Sequence, residues 1–292
     1  MKLELKNNNL ILTDVDSFSL RETFECGQAF RFYREEDGSY TPIHRGRVIN
    51  LKETPDGVIV KNTDMDEFKE VWWDYFDFST DYGAIKKHLS VDPIMEEAIS
   101  YGEGIRILKQ DYFETLISFI VSANNQIPRI KKIIEEMSKK YGRRIEVKED
   151  FAGSDRDFYS FPNPEELSLS TADELREELR VGFRAERIWE AANKVRTGAF
   201  DINSISDMSY EEGKEALMTL NGVGPKVANC VLLFGYSKTT AFPVDVWVKR
   251  IMEDLYFKKE TPNKIIEEFG KEKFGDLSGY AQQYLFYYAR ER

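Results

Sequence analysis

Lys226 stands in the first turn of a predicted helix, directly behind the run Gly222-Val223-Gly224-Pro225. A lysine there sits beside the positive end of the helix dipole. A neutral lysine amine is a nucleophile for an electrophilic carbon and can form a Schiff base. Cys230, at i+4, projects from the same helix face. Further on, Ala241-Phe242-Pro243-Val244-Asp245-Val246-Trp247 brings in a carboxylate at an N-cap position. Such a carboxylate can orient the attacking group and stabilise an oxocarbenium-like centre by charge. Each feature also has a plain structural reading: the lysine contacts a phosphate, and the aspartate only caps a helix.

The elements that must position these groups are helices. An amphipathic helix over Tyr210 to Leu220 gives way to Gly222 and Gly224, with positive φ available at both, which allows a very tight turn. Pro225 fits the first position of the next helix, where its missing N–H costs nothing. The expectation is a helix–hairpin–helix. The backbone N–H groups around Gly222, Val223 and Gly224 form an anion site suited to one phosphate of a nucleic-acid strand. Two-glycine turns also occur as simple connectors.

The first third of the chain reads as short strands joined by short turns: Ala29 to Tyr33, a run from Tyr40, Val48 to Leu51, and Val58 to Val60 behind the turn Pro55-Asp56-Gly57. The character changes between Asp64 and Pro93. Helical periodicity follows from Asp92. Thr115 to Val121 is almost wholly apolar and Ile130 to Met137 amphipathic; a helix capped near Ser170-Thr171 runs towards Arg180. Further helices are expected over Ala185 to Val195, Lys226 to Leu233 and Val246 to Leu255, with a last one within Glu272 to Arg290. The stretch from Val147 to Pro164 reads as a loop. The fold class is α+β: an antiparallel β domain over residues 1–91, then an all-helical domain over 92–292 that holds the hairpin.

The 292 residues carry 41 Lys+Arg against 52 Asp+Glu, a net charge of −11. Net charge alone argues against a nucleic-acid partner, but a binding face can differ from the whole molecule. Acidic residues crowd positions 64–81, whereas basic residues prevail over 129–140 and 214–250. A basic face on an acidic protein stays open beside the reading of ordinary solvated helix surfaces. Two cysteines, Cys26 and Cys230, rule out a four-cysteine cluster within this chain and argue against a disulfide-stapled scaffold. The N-terminus has no apolar signal-peptide core, and no run approaches the ~18 apolar residues of a membrane span. The expected address is the cytoplasm, nucleoid-associated in a prokaryote.

Gly-Val-Gly-Pro-Lys followed at this spacing by Pro-Val-Asp resembles the helix–hairpin–helix DNA glycosylases with a Gly/Pro-rich loop and Asp (the HhH-GPD superfamily). Within them the chain is most similar to the 8-oxoguanine DNA glycosylase/AP lyases, over nearly its whole length. The resemblance implies a bifunctional base-excision repair enzyme acting on double-stranded DNA that contains 8-oxoguanine, with a TBP-like N-terminal domain. Lys226 matches the Schiff-base nucleophile and Asp245 the assisting aspartate. In Phe24-Glu25-Cys26-Gly27-Gln28, Gly27 matches the glycine whose carbonyl accepts N7–H of the oxidised base. Gln282 and Phe286, at i+4 on one helix face, match the residue that bonds the Watson–Crick edge and the ring that stacks on the base. Cys230 presses on the other side.

On the opposite strand, Asn124 matches the residue that fills the gap left by the extruded nucleotide. Arg129 and Arg184 match arginines that face the estranged base, and Phe183 matches the aromatic wedge. One departure is Trp247, which stands where the family commonly has histidine and leaves that backbone contact in doubt. No cofactor and no catalytic metal are implied; a structural cation between the hairpin carbonyls and a DNA phosphate is expected when DNA is bound. The chain is expected to be a monomer. The alternatives are a related glycosylase for another damaged base, a non-catalytic DNA-structure binder, and a protein-interaction scaffold of the same fold.

Overall fold

The computed structural model describes residues 2–6 and 9–291. Seven strands form the N-terminal sheet: β1 (Lys2–Lys6), β2 (Asn9–Thr13), β3 (Phe32–Arg34), β4 (Tyr40–His44), β5 (Arg47–Val48), β6 (Asn50–Thr54) and β7 (Gly57–Lys61). Pairing is antiparallel throughout, in the order β1-β2-β7-β6-β4-β3 with β5 on β4. Leu10 and Leu12 of β2 face Val60 and Val58 of β7, so the inward residues of both strands register on one face. Pro55 and Asp56 close the β6–β7 hairpin, with Thr54 paired to Gly57.

The sheet extends beyond the expected strands by the outer pair β1–β2. The strand expected from Ala29 begins only at Phe32. The residues before it leave the sheet, and this detour matters for the site. The sheet's apolar cluster runs from Leu10 to Phe78 and takes in Leu108. A second, larger cluster runs from Tyr82 to Tyr288 and takes in Cys26 and Phe30. The segment after helix Leu20–Glu25 therefore crosses from one core into the other.

The helical part contains Tyr112–Ser122, Ile127–Tyr141, Ala172–Glu178, Ala185–Arg196, Tyr210–Met218, Pro225–Phe234, Val246–Met252, Asn263–Phe274 and Ser278–Glu291. The last helix, expected within Glu272 to Arg290, is Ser278–Glu291; Gly275, at φ +55, separates it from the preceding helix Asn263–Phe274. One expectation is corrected. The expected loop over 147–164 includes β9 (Phe158–Tyr159), which pairs with β8 (Arg144–Ile145), so this half is not wholly helical. Phe158 and Phe151 pack there against Ile43 and Val48 of the sheet. Among the described residues no helix is long and apolar enough to cross a membrane.

One polar junction joins sheet, helix and hairpin. Arg31, buried just ahead of β3, donates to the Tyr159 carbonyl and to Glu114 Oε2 (3.5 Å) on helix Tyr112–Ser122. Burial pushes the Glu114 carboxyl up to about 7, against the pull of Arg31 and with help from Asp111. The folded chain keeps this proton where the unfolded chain has lost it. Its contribution to stability is therefore greatest at low pH and is lost as pH rises from about 4.5 to about 7. Urea midpoints measured across that window should fall for the wild type, and Glu114→Gln should flatten the fall.

Candidate active site

The hairpin forms as the glycines require, with one correction. Helix Tyr210–Met218 opens on a capping box between Ser209 and Glu212. Val223, buried, donates its N–H to the Leu220 carbonyl at 3.1 Å. Gly222 is left-handed at φ +83, and a Cβ there would lie 2.3 Å from Arg187 Cδ. Gly224 is extended (φ −93°, ψ −179°), so only one of the two glycines uses positive φ. A Cβ on Gly224 would meet no protein atom within 4 Å. The protein's own packing thus gives no reason for glycine at this position. The bare backbone opens the N-terminus of helix Pro225–Phe234, whose N–H groups no side chain caps.

Lys226 is half-buried on the first turn of that helix, its Nζ 5.2 Å from the centre of the Phe119 ring. It opens on a cavity of about 50 Å³ whose lining includes Gly27, Cys230, Asp245, Gln282 and Phe286. Residues from both ends of the chain meet here. Burial raises the Cys230 thiol against the charge and hydrogen bonding of Lys226. Asp245 caps helix Val246–Met252: its Oδ1 accepts the N–H groups of Trp247 (2.9 Å) and Val248 (2.8 Å). Both bonds end on Oδ1, so Oδ2 takes no part in the cap. Burial raises the Asp245 carboxyl above the usual range, opposed by those N–H bonds and by the charges of Lys226 and Arg290.

The far wall is set by Gln28, a fully buried amide. Its Nε2 donates to the carbonyls of Thr23 (2.8 Å) and Arg106 (2.7 Å), and its Oε1 accepts Leu108 N–H (2.8 Å). Along residues 25–28, the Glu25 carbonyl accepts Arg290 Nη1 (3.1 Å), the Cys26 carbonyl accepts Gln283 Nε2 (2.7 Å), and the Gln28 carbonyl accepts Gln110 Nε2 (2.8 Å). The Gly27 carbonyl alone of these four has no partner among the described residues. Gly27 is left-handed at φ +79, and a Cβ there would lie 2.9 Å from the Phe286 ring. Across the cavity Gln282, 4% exposed, has a buried Oε1 with no hydrogen-bond partner. Two acceptors without donors thus border one cavity.

The wedge residues lie on a neighbouring surface. Asn124 is exposed and left-handed at φ +51, just past helix Tyr112–Ser122. Phe183 is 52% exposed, with the guanidinium carbons of Arg184 and Arg187 4.3 and 5.0 Å from its ring centre. Arg129, also exposed, donates to the Arg180 carbonyl at 3.0 Å. Arg184, matched to an arginine that faces the estranged base, lies beneath this surface. It is 5% exposed, and its guanidinium donates to the carbonyls of Ala123 (2.9 Å), Asn124 (2.8 Å) and Val181 (3.2 Å). Here it ties the wedge loop to the Asn124 turn. Trp247 is 39% exposed with Arg250 over its ring, at the edge of the Asp245 cap.

Sequence reasoning missed Gln28, Phe119, Phe234, Gln283 and Arg290. Arg290 was accessible: Gln282, Phe286 and Arg290 recur every four residues along one helix face. Phe119 and Phe234 sit inside apolar runs and carry no signal of their own. Among the described residues no group of three or more His, Cys, Asp or Glu side chains could hold a metal ion.

Two family models match the chain. Residues 10–116 match the N-terminal domain of 8-oxoguanine DNA glycosylase, and residues 117–275 match the HhH-GPD superfamily of base excision DNA repair proteins. A probable N-glycosylase/DNA lyase of Methanothermobacter thermautotrophicus is 34% identical over 68% of each chain. The N-glycosylase/DNA lyase OGG1 of Arabidopsis thaliana is 30% identical over 90% of this chain and 75% of its own. The Clostridium acetobutylicum 8-oxoguanine glycosylase/lyase, solved in complex with double-stranded DNA containing cytosine opposite 8-oxoG, superposes with a TM-score of 0.94 at 44% identity, covering 100% of this chain and 98% of that one. The chain belongs to the 8-oxoguanine DNA glycosylase family, within the HhH-GPD superfamily of base excision DNA repair proteins.

Proposed function

We infer that the protein excises 8-oxoguanine from duplex DNA through Lys226 and nicks the resulting abasic strand. The observation that carries this is one cavity whose lining brings together an aliphatic amine, a carboxylate and two residues with unpartnered acceptors. Guanine carries a bare acceptor at N7, whereas 8-oxoguanine carries N7–H. The Gly27 carbonyl bonds that hydrogen in the lesion and faces a lone pair in guanine. An acceptor left unmatched in a dry site costs about 1–3 kcal/mol. Gln282 Oε1 takes a donor from the Watson–Crick edge, and Phe286 and Cys230 flank the ring.

Chemistry then needs only groups the chain supplies. The neutral Lys226 amine attacks C1′ of the extruded nucleotide, and the bond to the base breaks with the electron pair leaving on the base. The added amine loses a proton, and its lone pair then expels O4′, which takes up a proton as the C1′–O4′ bond breaks and leaves an iminium at C1′. Removal of a C2′ proton then expels the 3′ phosphate by β-elimination, which nicks the strand. Asp245 stabilises the positive charge that grows at C1′. The hairpin holds a phosphate of the lesion strand at the N–H groups behind Gly224. Asn124 fills the vacated place in the stack, Phe183 wedges the kink, and Arg129 reads the estranged cytosine. Arg184 supports that reading by fixing the turn on which Asn124 sits, and a base contact would require it to release those carbonyls. The enzyme acts as a monomer and needs no organic cofactor.

Borohydride reduction during turnover of an 8-oxoguanine:cytosine duplex should trap a covalent protein–DNA adduct, and Lys226→Gln should abolish it. A wild type that yields no adduct while still binding the duplex would leave only a DNA-structure binder. Asp245→Asn keeps a side-chain oxygen for the cap, so it should stay folded while single-turnover excision drops on the order of 10²–10³-fold. The acid limb of the wild-type rate should lie above the range of a free aspartate, because burial raises this carboxyl and its charged form is the active one. Gly27→Ala must enter a left-handed backbone and meet the Phe286 ring. It should lose 8-oxoguanine excision and about 1–3 kcal/mol of stability, read by urea titration.

A further inference from the structure

Beside the wedge, a groove of about 660 Å³ runs between helix Ile127–Tyr141 and the end of helix Ala172–Glu178. Its floor is Ile133 and Leu179, and its rim carries Arg129, Lys132 and Arg180. All three cations are exposed, and among the described residues none has a carboxylate partner within ion-pair distance. Two acids also face the groove. Glu178 is engaged by Lys140 and by the Tyr141 hydroxyl (3.4 Å), which leaves Glu136 alone against three cations.

The fold brings these charges together at a cost. Arg129 donates to the Arg180 carbonyl, and Arg180 itself is held left-handed at φ +52, a strained conformation for arginine. The crowding continues under the wedge, where burial and the charges of Arg129 and Arg187 weaken the Arg184 guanidinium's hold on its proton. Like charges gathered without counter-charges, on a chain of net −11, lower their free energy when an anion arrives.

We propose that this groove is a second phosphate site of the DNA interface, in which Lys132 and Arg180 hold phosphodiesters of the undamaged strand beside the estranged base. The inference rests on the function proposed above and extends it to the other strand. Two observations select that strand. The groove's mouth is Arg129, the residue beside the Asn124 turn, whereas the hairpin that serves the lesion strand lies on the far side of Phe183, against Arg187. The arginine fork and the lysine ammonium offer only donors, as phosphate oxygens require.

The test is equilibrium binding to a duplex carrying a stable abasic analogue, between about 50 and about 200 mM salt. Lys132→Gln and Arg180→Gln should each weaken binding several-fold and reduce the steepness of log K against log salt by about 0.9. The double variant should lose about twice that, and Lys132→Glu more than Lys132→Gln. The preference for cytosine over adenine opposite the lesion should stay as in the wild type, whereas Arg129→Gln should change it. Lys139→Gln alters an exposed lysine of the same helix that lines a different cleft, and should keep the wild-type slope. Groove variants with the wild-type slope would overturn the proposal. So would an equal effect from Lys139→Gln, which would make the result one of net charge. Adduct trapping in the wild type separates this outcome from failure of the excision reading: an adduct with unaffected groove variants sinks the groove alone.

Discussion

The cavity depends on one buried side-chain amide. Gln28 bonds a helix end at Thr23 and an extended segment at Arg106 and Leu108, and so pins the detour the chain makes between its two cores. Gln110, Gln283 and Arg290 then bind the carbonyls of Gln28, Cys26 and Glu25. A buried network of this kind is stiff because each lost bond strands its partner in a dry environment. Stiffness gives the one carbonyl left over its meaning. With its neighbours held, the Gly27 carbonyl cannot turn away to find a donor inside the protein. Gln282 Oε1 is in the same position across the cavity. A ligand edge with donors at both places relieves two unmet acceptors at once. 8-Oxoguanine has that edge, with N1–H and the amino group on one side and N7–H on the other.

Charge is organised on the same principle of unmet partners. Many surface cations of this acidic chain are paired with carboxylates, as Lys109 is with Asp74 and Arg156 with Glu35. Several around the wedge and hairpin are instead paired with carbonyls or rings: Arg129 with the Arg180 carbonyl, Arg184 with Ala123 and Asn124, Arg187 and Arg250 with aromatic faces. A guanidinium on a carbonyl keeps its full charge. This face therefore stays positive while the acidic remainder repels phosphate, which restrains non-specific binding and orients approach. In the cavity Asp245 carries the opposite sign into a desolvated place. Its charged form is disfavoured at rest and becomes favourable when positive charge develops at the sugar.

The sequence carried much of this in its local grammar. Gly222 to Lys226 and Asp245 are positions where residue type follows from backbone geometry or from capping, so the hairpin and the cap could be read directly. The strands β6 and β7 were legible for the same reason, through the turn between them. What could not be read depends on partners far along the chain. Gln28 looks like any polar residue near a strand; only Arg106 and Leu108 make it structural. Arg184 carries the type of a base reader, yet the carbonyls at the end of a helix some sixty positions away claim its guanidinium. Gly275 ends a helix inside a run whose composition favours continuing it. Gly224 shows the converse: its type is legible, but the protein's own packing does not explain it.

The resting cavity is too small for its ligand, and this bears on how the lesion is chosen. About 50 Å³ holds a few waters, whereas an apolar cavity of about 150 Å³ takes a benzene ring. The obstruction is Phe286, which lies against the Gly27 backbone with Arg290 over its outer face. A purine seated here requires that ring to move. Extrusion from the duplex adds a few kcal/mol of lost stacking. Entry is therefore uphill for any base until the unmet acceptors find donors. 8-Oxoguanine satisfies the carbonyl of Gly27 and recovers part of that cost. Guanine sets a lone pair against the same oxygen and recovers none of it there. On this account discrimination draws on opening the cavity as well as on holding the base.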